Sequence, residues 1–145
     1  TGTAITINTD ERKLLYCDGT TFQIVAETAV GATIPYDIGG TLAGVPTGGS
    51  VVLRYPVPRA VRFPASMANS RGVAGTASGA TATFSLRKNG TQFATMQFAA
   101  GVTTPTFTAA TATDFAAGDV LTIIAPNPAD STLADIGFAL AGIRL

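Results

Sequence analysis

The chain has 145 residues, of which 25 are Ala, 23 Thr and 16 Gly, and its nine basic and nine acidic side chains cancel. A balanced charge does not favour nucleic acid or an anionic membrane as a partner. The sequence has no His, which excludes a Ser-His-Asp triad, a His general base and a His-ligated zinc. Its single cysteine, Cys17, excludes an intrachain disulfide and a cysteine metal cluster. We therefore expect a protein that is not an enzyme, with no catalytic residue and no cofactor.

The chain starts with Thr1 rather than Met, which processing or origin from a longer protein would explain. Nothing at the start reads as the apolar region of a signal peptide. No apolar run approaches the roughly 18 residues of a spanning helix, so we expect no membrane insertion.

Residues 1–28 contain three short alternating runs, Thr3–Asn8, Lys13–Cys17 and Thr20–Glu27. The last two runs are joined by Asp18-Gly19, a pair typical of a tight hairpin turn because both central residues need positive φ. These residues are therefore predicted to form a small N-terminal β meander.

Residues 29–49 are punctuated by glycine and proline, including Gly39-Gly40 and Gly48-Gly49. This composition favours turns over a continuous strand or helix. We therefore expect a linker or an extended covering segment.

Residues 50–145 show the strongest β signals. Asn89-Gly90 separates the runs Ala80–Lys88 and Thr91–Ala99 and predicts a two-residue hairpin, with a bulge near Phe93–Thr95 because the apolar positions change parity there. Alternating or apolar runs bounded by turn residues predict further strands, which begin at Ser50 and also include Thr103–Thr108, Asp119–Ala125 and Ala134–Arg144.

The pattern Phe-Ala-Ala-Gly occurs twice, at 98–101 and 115–118. We interpret both copies as the same strand-ending turn, with Phe packed inward and Gly supplying the turn. The fold class predicted for the whole chain is all-β, a jelly-roll-like antiparallel β-sandwich at 50–145 preceded by the small β meander.

Small side chains occupy many alternating β positions of this predicted sandwich. Faces built of Ala and Gly fit a homo-oligomer, because a second subunit can approach them closely. A bias in the coding sequence towards alanine is the alternative.

Basic residues cluster in the middle of the sequence. No acidic residue lies between Ile38 and Thr113, whereas six basic residues do: Arg54, Arg59, Arg62, Arg71, Arg87 and Lys88. Arginine forks match carboxylate and phosphate groups, such as those of sialic acid or lipopolysaccharide. The candidate ligand-binding residues are Arg54, Tyr55, Arg59 and Arg62. Salt bridges to the Asp-rich C-terminal third are the alternative.

The carboxylates allow two further readings. Four of them lie in predicted loops that could converge on calcium, namely Asp114, Asp119, Asp130 and Asp135. The chain would then be a carbohydrate-binding β-sandwich module of a larger enzyme. A small hydrolase would need two carboxylates facing one cleft.

About the last 65 residues resemble the C-terminal modules of tailed-bacteriophage and prophage virion proteins, chiefly tail fibres and minor tail proteins. The resemblance is carried by the stretch from Phe84 through Asn89-Gly90, by the two Phe-Ala-Ala-Gly turns, and by the run from Ala134 to Gly142. It implies a structural or adhesive virion component, commonly trimeric, that contacts other virion proteins and has a β-rich tip that touches the host. Together with the arginine cluster, it predicts binding to a host-surface polysaccharide. It carries over no catalytic residue.

Overall fold

The computed structural model describes residues 11–17, 22–29 and 34–145, and the chain divides into two compact units, Thr1–Thr33 and Ile34–Leu145. In the first unit, β1 (Glu11–Cys17) pairs antiparallel with β2 (Phe22–Ala29). These two strands agree with the second and third predicted runs of the meander. The first predicted run, Thr3–Asn8, and the Asp18-Gly19 turn lie outside the described residues.

The second unit is built from eleven short strands and one 3₁₀ turn at Ala65–Met67. The strands are β3 (Ile38–Leu42), β4 (Val51–Pro56), β5 (Val61–Phe63), β6 (Arg71–Thr76), β7 (Ala82–Lys88), β8 (Thr91–Phe98), β9 (Thr106–Thr108), β10 (Thr113–Phe115), β11 (Val120–Ile124), β12 (Ala134–Leu140) and β13 (Ile143–Arg144). No helical segment in the described part of the chain has the length and hydropathy that a bilayer crossing needs.

The strands form antiparallel sheets in a nested order. One sheet runs β4-β11-β7-β8-β9, a second β3-β12-β6 and a third, smaller one β10-β5-β13. The pair β3·β12 encloses β4·β11, which encloses β7·β8. A further pair lies in sequence inside β4·β11 and outside β7·β8: the Ala74 N–H of β6 donates to the Thr103 carbonyl at 2.8 Å. Nested pairs divided between two sheets are the order of a jelly roll, so the predicted fold class is confirmed.

The boundary of the sandwich differs from the predicted one. Residues 38–42, predicted as part of a linker or covering segment, form the edge strand β3, and the compact unit begins at Ile34 rather than at Ser50. Gly40 does not interrupt this strand. A Cβ at this position would lie 2.7 Å from Cζ of Phe138, closer than real Cβ contacts. Glycine instead makes room for an aromatic ring on the neighbouring strand.

The β7–β8 hairpin and its bulge are confirmed. Asn89 and Gly90 have φ of 48° and 88°, as a tight hairpin turn requires. Leu86 lies opposite Ala94 whereas Arg87 lies opposite Gln92, so Phe93 is the extra residue of the bulge.

The two Phe-Ala-Ala-Gly segments form equivalent turns. Phe98 and Phe115 are fully buried, and Gly101 and Gly118 have φ of 74° and 93°. Each glycine N–H donates to a backbone carbonyl at 2.7 Å, Gly101 to that of Ser78 and Gly118 to that of Val57. The interpretation of a repeated strand-ending turn is therefore confirmed.

The core consists of inward-facing residues of the sheets, and an aromatic cluster lies within it. The Phe115 ring meets those of Phe63 and Phe93 edge to face or nearly so, at centroid distances of 5.4 and 5.3 Å. Several small residues also pack in this core: Ala74, Ala82, Ala94 and Ala125. Part of the alanine content therefore serves packing within the chain.

The two ends of the second unit lie side by side. Pro35 forms an isolated bridge with Ile143, and the Arg144 N–H donates to the Ile34 carbonyl at 2.8 Å. The last residue, Leu145, donates its N–H to the Ala60 carbonyl at 3.1 Å. The first segment of the sandwich is therefore paired with β13, and β13 is paired on its other side with β5.

Candidate functional site

Two arginines flank one threonine on the outer face of the five-stranded sheet. Arg54 on β4 lies opposite Thr122 on β11, and Thr122 lies opposite Arg87 on β7. Neighbouring strands are about 4.8 Å apart, so the two arginine Cα atoms are separated by about 10 Å with Thr122 between them. Thr122 is only 9% exposed. We call this arrangement the Arg54–Arg87 site.

The Arg54–Arg87 site lines an open depression of about 340 Å³. Apolar side chains of Val51, Val120 and Ile124 contribute to its lining, and the Asn89-Gly90 turn contributes its edge. Apolar linings with a few polar groups that fix orientation are typical of small-molecule sites.

A polar network continues from Arg87 across the same face. The Arg87 Nε donates to Ser85 Oγ at 3.1 Å, and Ser85 Oγ donates to Gln92 Oε1 at 2.7 Å. Gln92 in turn lines a second depression of about 440 Å³, together with Thr95 and Thr108. Hydroxyl and amide groups therefore connect the two depressions.

The four ligand-binding residues predicted from the sequence do not meet in one place. Arg54 and Tyr55 are neighbours on a strand, so their side chains point to opposite faces of the sheet. The Tyr55 hydroxyl lies 3.4 Å from that of Tyr36, and this hydrogen bond, with burial, raises the pKa of Tyr36. The positive charge of Arg59 acts on Tyr36 in the opposite sense. The structure therefore brings Tyr55 to Tyr36 and leaves Arg54 on the outer face.

Arg62, the fourth predicted residue, forms a two-pronged ion pair. Its Nε and Nη2 lie 2.5 and 2.7 Å from the two carboxylate oxygens of Asp114. The pair raises the pKa of Arg62 and lowers that of Asp114. Lys88 makes a second ion pair, at 3.1 Å from Asp119. Arg62 and Lys88 therefore follow the alternative given for the basic cluster, in which its members form salt bridges with C-terminal aspartates.

The four aspartates considered for calcium have separate local roles. Asp130 accepts hydrogen bonds from the N–H groups of Leu133, Thr132 and Ala80, which lower its pKa. Asp135 accepts from the Gly44 N–H at 2.8 Å. Within residues 34–145 no three carboxylate, thiol or imidazole side chains gather as a metal site would require. The convergence considered for Asp114, Asp119, Asp130 and Asp135 is therefore not found among the described residues.

Sequence reasoning missed Arg87 and Thr122 as partners of Arg54. Their alignment depends on β11 pairing with β4 on one side and β7 on the other, and these strands are far apart in sequence. Chemically, two guanidinium groups beside an apolar surface can bind a carboxylate, sulfate or phosphate, and the adjoining hydroxyl and amide groups can bind sugar hydroxyls. No family model matches the chain, and no curated protein matches it significantly.

Proposed function

We propose that this chain is a structural and adhesive component of a virion, either a tail fibre tip or a decoration protein, and that it touches a host-surface polysaccharide. The observation that carries the proposal is the polar outer face of the five-stranded sheet, with the Arg54–Arg87 site at one side and Gln92, Thr95 and Thr108 at the other. The jelly roll supports it by analogy, because viral capsid and lectin domains use this fold. The resemblance of the C-terminal part to phage tail proteins points the same way.

Glycan binding is tested with the full chain, fluorescently labelled, on an array of bacterial capsular and lipopolysaccharide glycans. We expect saturable binding to a subset of these polysaccharides. A chain that binds none of them, while its circular dichroism shows the expected β structure, would contradict the adhesive part of the proposal.

The virion location has its own test. Antibodies against the chain, applied to particles released by cells that carry its gene, are expected to label the particles in electron micrographs. Signal confined to the cells, with unlabelled particles, would contradict the proposed location.

A homotrimer in contact with other virion proteins is part of the same proposal. The outer face of the β3-β12-β6 sheet supports it: Gly137 lies opposite both Thr41 and Val73, and Val73 is 55% exposed. Small residues let a neighbouring subunit approach this face closely. Multi-angle light scattering at micromolar concentration is expected to give the mass of three chains. Val73→Asp should lower that mass, whereas Val51→Asp, at an exposed valine on β4 in the five-stranded sheet, should not. A strict monomer would exclude the trimer.

A carbohydrate-binding module of a larger enzyme is the second candidate, because the same depressions would suit a sugar chain. Since the described aspartates do not gather in a group of three, glycan binding should survive chelation by EDTA in either case. The two candidates differ in the proteins that accompany the chain. An enzyme module would be encoded in one polypeptide with a catalytic domain, and antibodies against the chain would leave virions unlabelled.

A further inference from the structure

The Arg54–Arg87 site has the geometry of a clamp for a single anionic group. The side chains of Arg54 and Arg87 rise from the two strands on either side of β11, and nearly buried Thr122 lies between them. A carboxylate or phosphate accepts hydrogen bonds from several directions, so it can be shared by two guanidinium groups. A neutral sugar offers no charge for either arginine.

Charge in this unit favours an anion. Residues 34–145 contain seven Arg and Lys against five Asp, a surplus of two positive charges. The ion pairs within these residues are Arg62 with Asp114 and Lys88 with Asp119, and neither includes an arginine of the site. Asp119 accepts a hydrogen bond from the Asn89 side chain beside the site, and the ion pair with Lys88 neutralises its charge.

One arginine of the pair is already held in place. The Arg87 Nε donates to Ser85 Oγ, and the same hydroxyl donates to Gln92 Oε1. A side chain fixed before binding loses less conformational entropy when the ligand arrives. The remaining N–H groups of Arg87 can then serve the ligand, and Arg54 closes the clamp from the other side.

The site is extended rather than isolated. The apolar lining from Val51 and Ile124 can take the C–H face of a sugar ring next to the anionic group. From β4 to β8 the face spans three strand spacings, about 14 Å, and ends at the second depression by Gln92. A ligand that fills both depressions must therefore contain more than one sugar unit.

We infer that the Arg54–Arg87 site binds the carboxylate, sulfate or phosphate of an acidic oligosaccharide, and that a neighbouring sugar unit lies in the second depression beside Gln92. The inference rests on the proposed polysaccharide binding and names its chemical class. It predicts that the anionic group, and not the sugar skeleton alone, decides which glycans are retained.

The test is an NMR titration of the ¹⁵N-labelled full chain with four ligands on one scaffold: lactose, 3′-sialyllactose, lactose 3′-sulfate and lactose 3′-phosphate. At least one acidic ligand is expected to bind at least about tenfold more tightly than lactose, the difference expected for hydrogen bonds to a charged group. Amide shifts should centre on Thr122 and extend to Gln92. The acidic ligand that binds most tightly distinguishes carboxylate, sulfate and phosphate.

Three variants with the same charge change locate the site. Arg54→Gln and Arg87→Gln are each expected to weaken acidic-ligand binding about tenfold, and raising the salt should weaken it in the parent chain. Arg71→Gln, at an exposed arginine on β6 in the other sheet, should leave it within twofold.

Three results would overturn the inference: equal affinity for lactose and all its acidic derivatives, no binding of any acidic ligand at 20 mM, or equal losses in the Arg54→Gln and Arg71→Gln chains. Each can occur while the chain still binds polysaccharide on the array. Failure of this inference is therefore distinct from failure of the proposed function.

Discussion

Glycine-to-alanine substitutions at three positions should rank in an order set by the structure. The same methyl group is added each time, but the surroundings differ. At Gly137 the nearest atom to the new Cβ would be 3.8 Å away, an ordinary contact, and φ is not in the left-handed region. Gly118 has open space but a φ of 93°. At Gly142 the Cβ would lie 2.7 Å from Val61 Cγ2 and 2.8 Å from the Tyr36 carbonyl oxygen.

The magnitudes follow from these distances. Measured on the monomeric chain, in which no neighbouring subunit packs on this face, Gly137→Ala should change the free energy of unfolding by less than about 0.5 kcal/mol, as surface substitutions usually do. For Gly118→Ala the left-handed backbone costs about 1–2 kcal/mol, and the reduced entropy of the unfolded chain offsets about 0.4–1 kcal/mol, which leaves a net loss near 1 kcal/mol.

Gly142→Ala should be the most damaging of the three. Overpacking typically costs about 1–3 kcal/mol. The crowded oxygen belongs to backbone whose N–H donates to the Gly142 carbonyl at 2.9 Å, so relief by moving Tyr36 would weaken that hydrogen bond, worth about 1 kcal/mol. We expect a total loss of about 2–4 kcal/mol.

Urea unfolding followed by far-ultraviolet circular dichroism measures all three variants, and the slope with urea should match that of the parent chain. The reasoning is refuted if Gly142→Ala is no less stable than Gly137→Ala. It is also refuted if Gly118→Ala is the most damaging of the series.

Three further substitutions test other contacts. Asp130→Asn removes a carboxylate whose pKa is lowered by hydrogen bonds in the folded state; the parent chain should be the more stable above about pH 4, and the difference in melting temperature should shrink as the pH falls below that value. Phe115→Ala empties a fully buried position between two rings and should cost about 3–5 kcal/mol in urea unfolding, whereas a cost below about 1 kcal/mol would contradict the described core. Asp114→Asn breaks the ion pair with Arg62, and its effect on melting should be smaller in 1 M salt than in dilute buffer.

Local features of the sandwich were predictable because their causes lie within a few residues. Asn89-Gly90 fixes a tight turn through positive φ, and the change of apolar parity after Phe93 marks a bulge. The two Phe-Ala-Ala-Gly turns follow from one buried ring and one glycine each. In these places local chemistry and the final fold agree.

Features set by distant strands were not predictable. Gly39-Gly40 looks like a break in the sequence, yet it lies in a strand because Phe138 fills the space above it. Likewise, proximity in sequence groups Arg54 with Tyr55 and Arg62, whereas strand pairing aligns it with Thr122 and Arg87. A cluster in sequence becomes a cluster in space only when the strand order allows it.

The pairing of Pro35 with Ile143 and of Ile34 with Arg144 means that the sandwich enters and leaves at one point on its surface. A domain with adjacent ends can be inserted into a surface loop of another protein without increasing the distance between the two ends of that loop. It can also be circularly permuted: a short Gly-Ser linker from Leu145 to Ile34, with new ends opened in the Asn89-Gly90 turn, would preserve every strand. The outer face of the five-stranded sheet could thus be moved, with its sandwich, into a different carrier protein.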